Sequence, residues 1–219
     1  MFDCVLLMAG SGKRSLLNKN KVFFEVNNKP LYKYALDEFL KIEECKSIVL
    51  VIQKGEEKYI SDINHPKVKI TYGGKERQDS VYQGVICCDS PLVFIHDGAR
   101  ANIRKKDIFA LYEVAKNSEA CLLATKMKNT VKKVIDGRVV ETVDRSILWE
   151  AQTPQAVRKD QYISSYDKAI KEGFVATDDV ELVKKYFDID VRIVEGDSSN
   201  IKVTTPLDLE IIQKLLKEE

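Results

Sequence analysis

Histidine is scarce in this chain: His65 and His96 are the only two among 219 residues, and they lie far apart. The five cysteines, Cys4, Cys45, Cys87, Cys88 and Cys121, contain no Cys-x-x-Cys pair. Together these gaps argue against a structural zinc site. An odd number of cysteines at irregular spacing also gives no disulfide framework, so reduced thiols packed as small apolar side chains are expected. No apolar run approaches the roughly 20 residues of a membrane span, and no basic stretch followed by a long apolar one opens the chain. A soluble, cytoplasmic protein is the expectation. Net charge is nearly absent as well, +1 from 35 basic and 34 acidic residues. It gives no global reason to expect nucleic acid or a membrane surface as a partner, so local charge has to select the ligand.

What is present is 44% hydrophobic and 32% charged residues without internal repeat or low-complexity linker. That composition suits one generous core, read here as a single domain over residues 1–219. Apolar runs at Phe2 to Met8, Ser47 to Gln53, Val68 to Tyr72, Leu92 to Ile95, Ala120 to Thr125 and Val191 to Val194 read as strands, several of them buried on both faces. Between them, helical spacing predicts helices after Pro30, after Arg77, over Lys105 to Lys116 and over Lys159 to Lys171. A polar crossover helix is expected at Lys54 to Ile60. Another helix is expected over Asp178 to Tyr186, capped by Thr177, and a last one with Thr205 as N-cap and Pro206 at its first position. The fold class is therefore α/β, a Rossmann-like, mostly parallel sheet with helices on both faces.

The strand exits carry the chemistry. Met8-Ala9-Gly10-Ser11-Gly12-Lys13-Arg14 follows the first strand, and Lys21 lies seven residues beyond Arg14. Glycines let a backbone approach a ligand closely, and its amides together with a planar Arg14 fork and a compact Lys21 charge suit phosphate. The spacing is not a P-loop, since Leu7 stands where its first glycine belongs, nor a dinucleotide fingerprint, since Ser15 stands where the third glycine belongs. A second glycine-rich exit, Gly73-Gly74-Lys75-Glu76-Arg77, precedes a helix carrying Val81 and Val85. Its bland reading is a turn with a solvated Arg77. A third exit, His96-Asp97-Gly98-Ala99-Arg100, gathers an acid suited to magnesium or a hydroxyl and an arginine suited to phosphate; His96 is read as structural. Several such exits at one sheet edge point to a ligand crevice.

From Met127 the alternation stops. Val131 to Ile135 and Arg138 to Val143 flank Asp136-Gly137, a strong hairpin signal. The hairpin is expected to project as an arm over about residues 128–148. An isolated two-stranded arm is marginal in water, which predicts a homodimer formed through it.

The segments Ala9 to Arg14 with Lys21, Gly73 to Arg77 with Asp79-Ser80-Val81, His96 to Arg100, Thr142-Val143-Asp144-Arg145, Gln152-Thr153-Pro154-Gln155, Thr177-Asp178-Asp179 and Asn200-Ile201-Lys202 recur in order in a known family. Over nearly its whole length the chain resembles the 2-C-methyl-D-erythritol 4-phosphate cytidylyltransferases. The resemblance implies transfer of CMP from CTP to that polyol phosphate, with pyrophosphate released, in non-mevalonate isoprenoid biosynthesis. By matching position it implies Arg14 and Lys21 as transition-state stabilisers, and Arg145 and Lys202 as residues that position the polyol phosphate. Ala9, Gly10, Ser11 and Gly12 would bind the triphosphate, and Gly74, Lys75 and Ser80 the cytosine. Asp97, Arg100 and Thr130 fall where relatives contact the sugar phosphate, with Thr130 and Arg145 acting across a dimer. Magnesium would bridge the phosphates, with no protein ligand certain and Asp97 the candidate.

The chain departs from the family pattern at Asn20-Lys21-Val22, where many relatives have Pro-Lys-Gln. Lys19 is a neighbouring rival for the catalytic lysine. Ala101 and Asn129 replace a frequent proline and aspartate. Two other readings stay open at this stage, a ribitol-5-phosphate cytidylyltransferase and a non-catalytic CTP-sensing module.

Overall fold

The computed structural model describes residues 1–10 and 20–217. Strand β1 (Phe2–Leu7) is apolar but for Asp3. From Asn20 a 3-10 turn at Lys21–Phe23 leads to a small hairpin of β2 (Glu25–Val26) and β3 (Lys29–Pro30), and then to helix α1 (Leu31–Leu40). Pro30 thus precedes that helix as its N-cap. β4 (Cys45–Ile52) and β5 (Val68–Tyr72) follow, joined without the crossover helix expected at Lys54 to Ile60. Only a 3-10 turn forms there, at Glu57–Tyr59. The reason is local. Gly55 takes φ +89°, and the Glu56 carboxylate accepts the Gln53 amide at 2.8 Å, a side-chain bond that competes with a helical one.

Next come α2 (Arg77–Ile86), β6 (Leu92–Asp97), α3 (Lys105–Ala115) and β7 (Ala120–Lys126). β8 (Val131–Ile135) and β9 (Arg138–Val143) pair only with each other, as the sequence predicts, with Asp136 and Gly137 at positive φ in the turn. β10 (Trp149–Arg158) is a ten-residue strand that no apolar alternation announces. α4 (Lys159–Glu172), α5 (Asp179–Tyr186), β11 (Val191–Glu195) and α6 (Pro206–Leu215) complete the chain. Asp178 caps α5 in place of Thr177: its Oδ1 accepts the Glu181 amide at 2.9 Å, while Thr177 donates its own amide and hydroxyl to the Glu181 carboxylate. The Thr205 cap of α6 stands as read, with Asp208 returning the bond to the Thr205 amide at 2.7 Å.

The main sheet runs β11-β7-β10-β6-β1-β4-β5, parallel throughout except that β10 is antiparallel to both neighbours. Alternation within the apolar runs splits its two faces. Phe2, Cys4 and Leu6 pack with Phe94 under α1 and α3, while Val5, Val49, Val93 and Ile95 pack under α2, α4 and α5. Each such fully buried side chain contributes roughly 1.5–3 kcal/mol. Because the chain leaves β1 toward β4 and β5 and then returns to β6 on its other side, the strand order reverses at β1. A crevice opens at the carboxyl ends of strands at such a point. Among the described residues no helix is long and apolar enough to cross a membrane.

Two buried aspartates mark the two ends of this sheet. Asp3, near the amino end of β1, accepts backbone amides of Ser47, Asp89 and Ser90 at 3.1, 2.6 and 2.7 Å. Its charge is satisfied by the backbone alone, which makes it structural. Asp97, at the carboxyl end of β6, is surrounded instead by side-chain cations.

Candidate active site

The crevice is a cavity of about 380 Å³ lined by the exits of four parallel strands: Met8, Ala9 and Gly10 after β1, Gln53 after β4, Gly74 to Arg77 after β5, and Asp97 and Ala99 at β6. Asn20, Lys21, Ser80 and Lys202 complete the wall. Two successive glycines are needed at the second exit. A Cβ on Gly73 would sit 2.5 Å from the Ala9 Cβ and 2.8 Å from Ser80 Oγ, and one on Gly74 would sit 2.3 Å from the Asp79 Cβ. Their absence lets this exit fold flat against the first. The Ser80 hydroxyl then accepts the Gly74 amide and donates to the Glu76 carbonyl, both at 3.1 Å. Its part is to fix the loop that lines the cavity.

Asp97 is the electrostatic centre. Its carboxylate lies 2.7 Å from Lys202 Nζ, 3.4 Å from the Arg77 guanidinium and 3.9 Å from Arg100 Nε. Burial favours the protonated form, yet Arg77, Lys202 and Arg100 together hold the group well below the usual carboxylate range. Arg77 is far from the solvated turn residue of the bland reading. It makes a two-pronged bond to Asp179, at 3.0 and 2.8 Å, and so ties the second strand exit to the start of α5. Gln155 of β10 secures that helix by accepting the Asp179 and Val180 amides at 2.9 and 3.2 Å. Nothing local in the sequence links residues 77 and 179; a pairing between such distant positions carries no periodic signal.

His96 is structural, as its sequence context suggests. Nε2 faces the Arg100 carbonyl at 3.0 Å, an oxygen that can only accept, so Nε2 carries the proton. The Thr153 hydroxyl accepts the Asp97 amide and donates to the bare Nδ1, both at 3.0 Å. Burial drops the imidazole to about 4, so it is neutral at neutral pH. The unfolded chain takes up the proton below its ordinary 6.5 while the folded chain stays neutral until about 4, so stability is lost as pH falls through this window, by about 3 kcal/mol. Urea unfolding at pH 7 and pH 5 is expected to show that slope in the parent and a flatter one in His96→Asn.

Of the residues singled out in the sequence, Ala9, Gly10, Lys21, Gly74, Lys75, Ser80, Asp97 and Lys202 converge on the cavity. Ser11, Gly12, Arg14 and the rival Lys19 lie outside the described residues. Arg100 stands beside the cavity. Its Nη1 donates to the Asn200 carbonyl at 2.7 Å, so it braces the segment that carries Lys202. Thr130 and Arg145 are exposed at the base of the β8–β9 arm, where Arg145 donates to the Lys128 carbonyl at 2.6 Å, and neither lines the cavity. Among the described lining residues, four cations, Lys21, Lys75, Arg77 and Lys202, outnumber two carboxylates, Glu76 and Asp97. Such a wall attracts a polyanion.

A family model described as IspD, 2-C-methyl-D-erythritol 4-phosphate cytidylyltransferase, matches residues 3–218. The chain belongs to the IspD family. A curated 2-C-methyl-D-erythritol 4-phosphate cytidylyltransferase of Clostridioides difficile is 37% identical over all of this chain and 95% of its own length. One of Aquifex aeolicus is 36% identical over 99% and 98%. The crystal structure of the 4-diphosphocytidyl-2C-methyl-D-erythritol synthase of Anaerococcus prevotii superposes with a TM-score of 0.89 at 30% identity, covering 99% of this chain and 98% of that one. IspD membership makes the chain a nucleotidyltransferase.

Proposed function

We propose that the chain transfers the cytidylyl group of CTP to 2-C-methyl-D-erythritol 4-phosphate, releasing pyrophosphate, as a step of isoprenoid biosynthesis. The observation that carries this reading, beside family membership, is the cavity wall of four cations at the sheet's switch point, two of them, Arg77 and Lys202, paired with Asp97. A phosphate monoester has a second pKa of ~6 and is mostly dianionic at neutral pH, so it attacks the α-phosphorus without a catalytic base. The protein has to align the two anions and place positive charge where negative charge grows. Lys21, at the cavity mouth, stabilises the transition state in this reading, with Arg14 its partner. Lys202, oriented by Asp97, draws in the polyol phosphate. The Ala9–Gly10 exit holds the triphosphate, and the Gly74–Lys75 loop, fixed by Ser80, holds the cytosine.

Among the described residues no three His, Cys, Asp or Glu side chains gather to cage a metal. In this reading magnesium would be held chiefly by triphosphate oxygens and water, with Asp97 the candidate protein carboxylate. When bound, the ion supplies further positive charge to the phosphates.

Thr130 and Arg145 enter this reading through a homodimer, in which one protomer's arm reaches the other's cavity. Its support is the arm itself. Val134, Ile135, Val139 and Val140 are each more than half exposed, and Ile147 at the arm's base is 73% exposed, a cost that a lone hairpin does not sustain. Val139→Asp is expected to shift sedimentation toward monomer and to lower turnover. A parent that sediments as a monomer at micromolar concentration removes the reading.

The function is tested by pyrophosphate release from CTP with magnesium, with 2-C-methyl-D-erythritol 4-phosphate and ribitol 5-phosphate compared side by side. Preference for the first is expected. Preference for ribitol 5-phosphate overturns the substrate assignment, and CTP binding without release from either leaves a nucleotide sensor.

A further inference from the structure

The 3-10 turn that carries Lys21 is held from three directions by contacts that the reaction itself does not require. Asn20, the residue before Lys21, donates from Nδ2 to the Met8 carbonyl at 2.5 Å and to the Glu56 carboxylate at 3.2 Å. Its Oδ1 accepts the Val22 amide at 3.4 Å and its carbonyl accepts the Phe23 amide at 3.0 Å, so one residue caps the turn and anchors it. Glu56 is itself fixed, its other oxygen accepting the Gln53 amide at 2.8 Å, and Gln53 Nε2 donates to the Ala9 carbonyl at 3.0 Å. Beyond the turn, Phe23 stacks on Tyr59 with ring centroids 4.8 Å apart and meets the edge of Tyr32 at 5.7 Å.

These contacts close a ring. Met8 and Ala9 follow the first strand, Asn20 and Lys21 come later in the chain, and Gln53 and Glu56 bridge the two from the segment after β4. The bridge exists because residues 54–60 form a tight 3-10 turn; a crossover helix would carry Glu56 elsewhere. We propose that Asn20, latched by Glu56, is a positioning residue for phosphoryl transfer: it sets the place of Lys21 relative to the Ala9–Gly10 backbone. The proposal rests on the role assigned to Lys21 above. A proline ring would fix φ near −65° at such a position. Asn20 holds φ −59° without a ring, and its side chain supplies the constraint.

A positioning contact acts through the group it positions, and that dependence can be measured. Turnover, KM for both substrates and thermal midpoint are compared for the parent, Asn20→Asp, Asn20→Ala, Lys21→Ala and the double variant Asn20→Ala/Lys21→Ala. Asn20→Asp keeps the cap and the side-chain shape but replaces the donor with an anion facing Glu56 and the Met8 carbonyl. Asn20→Ala and Asn20→Asp are each expected to lower kcat by about tenfold or more, with both KM values within about threefold and the thermal midpoint nearly unmoved. In the Lys21→Ala background, Asn20→Ala is expected to add almost nothing.

Parent-like kcat in Asn20→Asp, beside a crippled Lys21→Ala, overturns the latch and leaves the Lys21 assignment standing. Equal loss from Asn20→Ala in both backgrounds also overturns it, because the residue then acts independently of Lys21. Parent-like turnover in Lys21→Ala overturns the assignment on which the latch rests.

Discussion

Lys21→Ala is expected to lower kcat by roughly a hundred- to a thousandfold, while KM for CTP changes by no more than about threefold. The asymmetry follows from where the charge is needed. The cavity wall also carries Lys75, Arg77 and Lys202, so one ammonium is a modest part of its overall attraction for anions. During transfer, charge concentrates on the α-phosphate oxygens and the departing pyrophosphate. A donor fixed at that place is worth most because nothing has to reorganise to meet it. Steady-state kinetics with CTP varied at saturating polyol phosphate measure the two effects separately. Unchanged kcat with a raised KM would turn Lys21 into a binding residue only.

The second large effect concerns Asp97. Asp97→Asn keeps the volume and removes the charge, leaving Lys202, Arg77 and Arg100 facing one another across a buried amide. The free protein is expected to lose about 3 kcal/mol of stability, at the low end for breaking a buried pair because Lys202 can turn toward solvent and Arg77 keeps Asp179. Since the three cations hold the Asp97 carboxyl well below its ordinary range, this contribution is present above about pH 4 and is lost only as pH falls further. Binding of CTP, an anion that can replace the lost charge, is expected to raise the melting temperature of the variant more than that of the parent. Urea unfolding at pH 7 measures the first effect and thermal shift with CTP the second. A variant as stable as the parent, with the same CTP shift, would mean that Asp97 organises nothing.

Gly10, Gly74 and Asp97, with Lys21 read into the first of these turns, were legible because glycines and charges directly after apolar runs mark the carboxyl edge of a parallel sheet. Lys202 follows no such run and was implied only by the family resemblance. The strand β10 was not legible. Gln152, Thr153 and Gln155 are polar yet buried, each serving as a hydrogen-bond hub, so the apolar alternation that announces a strand is absent. Pro154 argues against a central strand, and the sheet admits it only because the β7–β10 register breaks between Ala151 and Gln155. The Arg77–Asp179 pairing was not legible for a different reason: the two residues are brought together only by the packing of α2, α4 and α5. The cap of α5 shows the limit of local reading, since Thr177 and Asp178 both satisfy the chemistry and only the backbone direction chooses.

The last structural feature with wider reach is the strip from Asn200 to Val203. Its Val203 amide bonds to the Ala99 carbonyl at 2.9 Å, its Asn200 side chain to the Thr153 carbonyl at 3.0 Å, and Arg100 clasps the Asn200 carbonyl. Every strand of the sheet is complete by Glu195, before this strip begins. On the ribosome, therefore, every strand of the sheet emerges before the ammonium that meets Asp97. A chain cut after Glu195 by a protease would keep all of its strands and lose that ammonium. The strip therefore adds the ammonium that meets Asp97 to a sheet whose strands are all made without it.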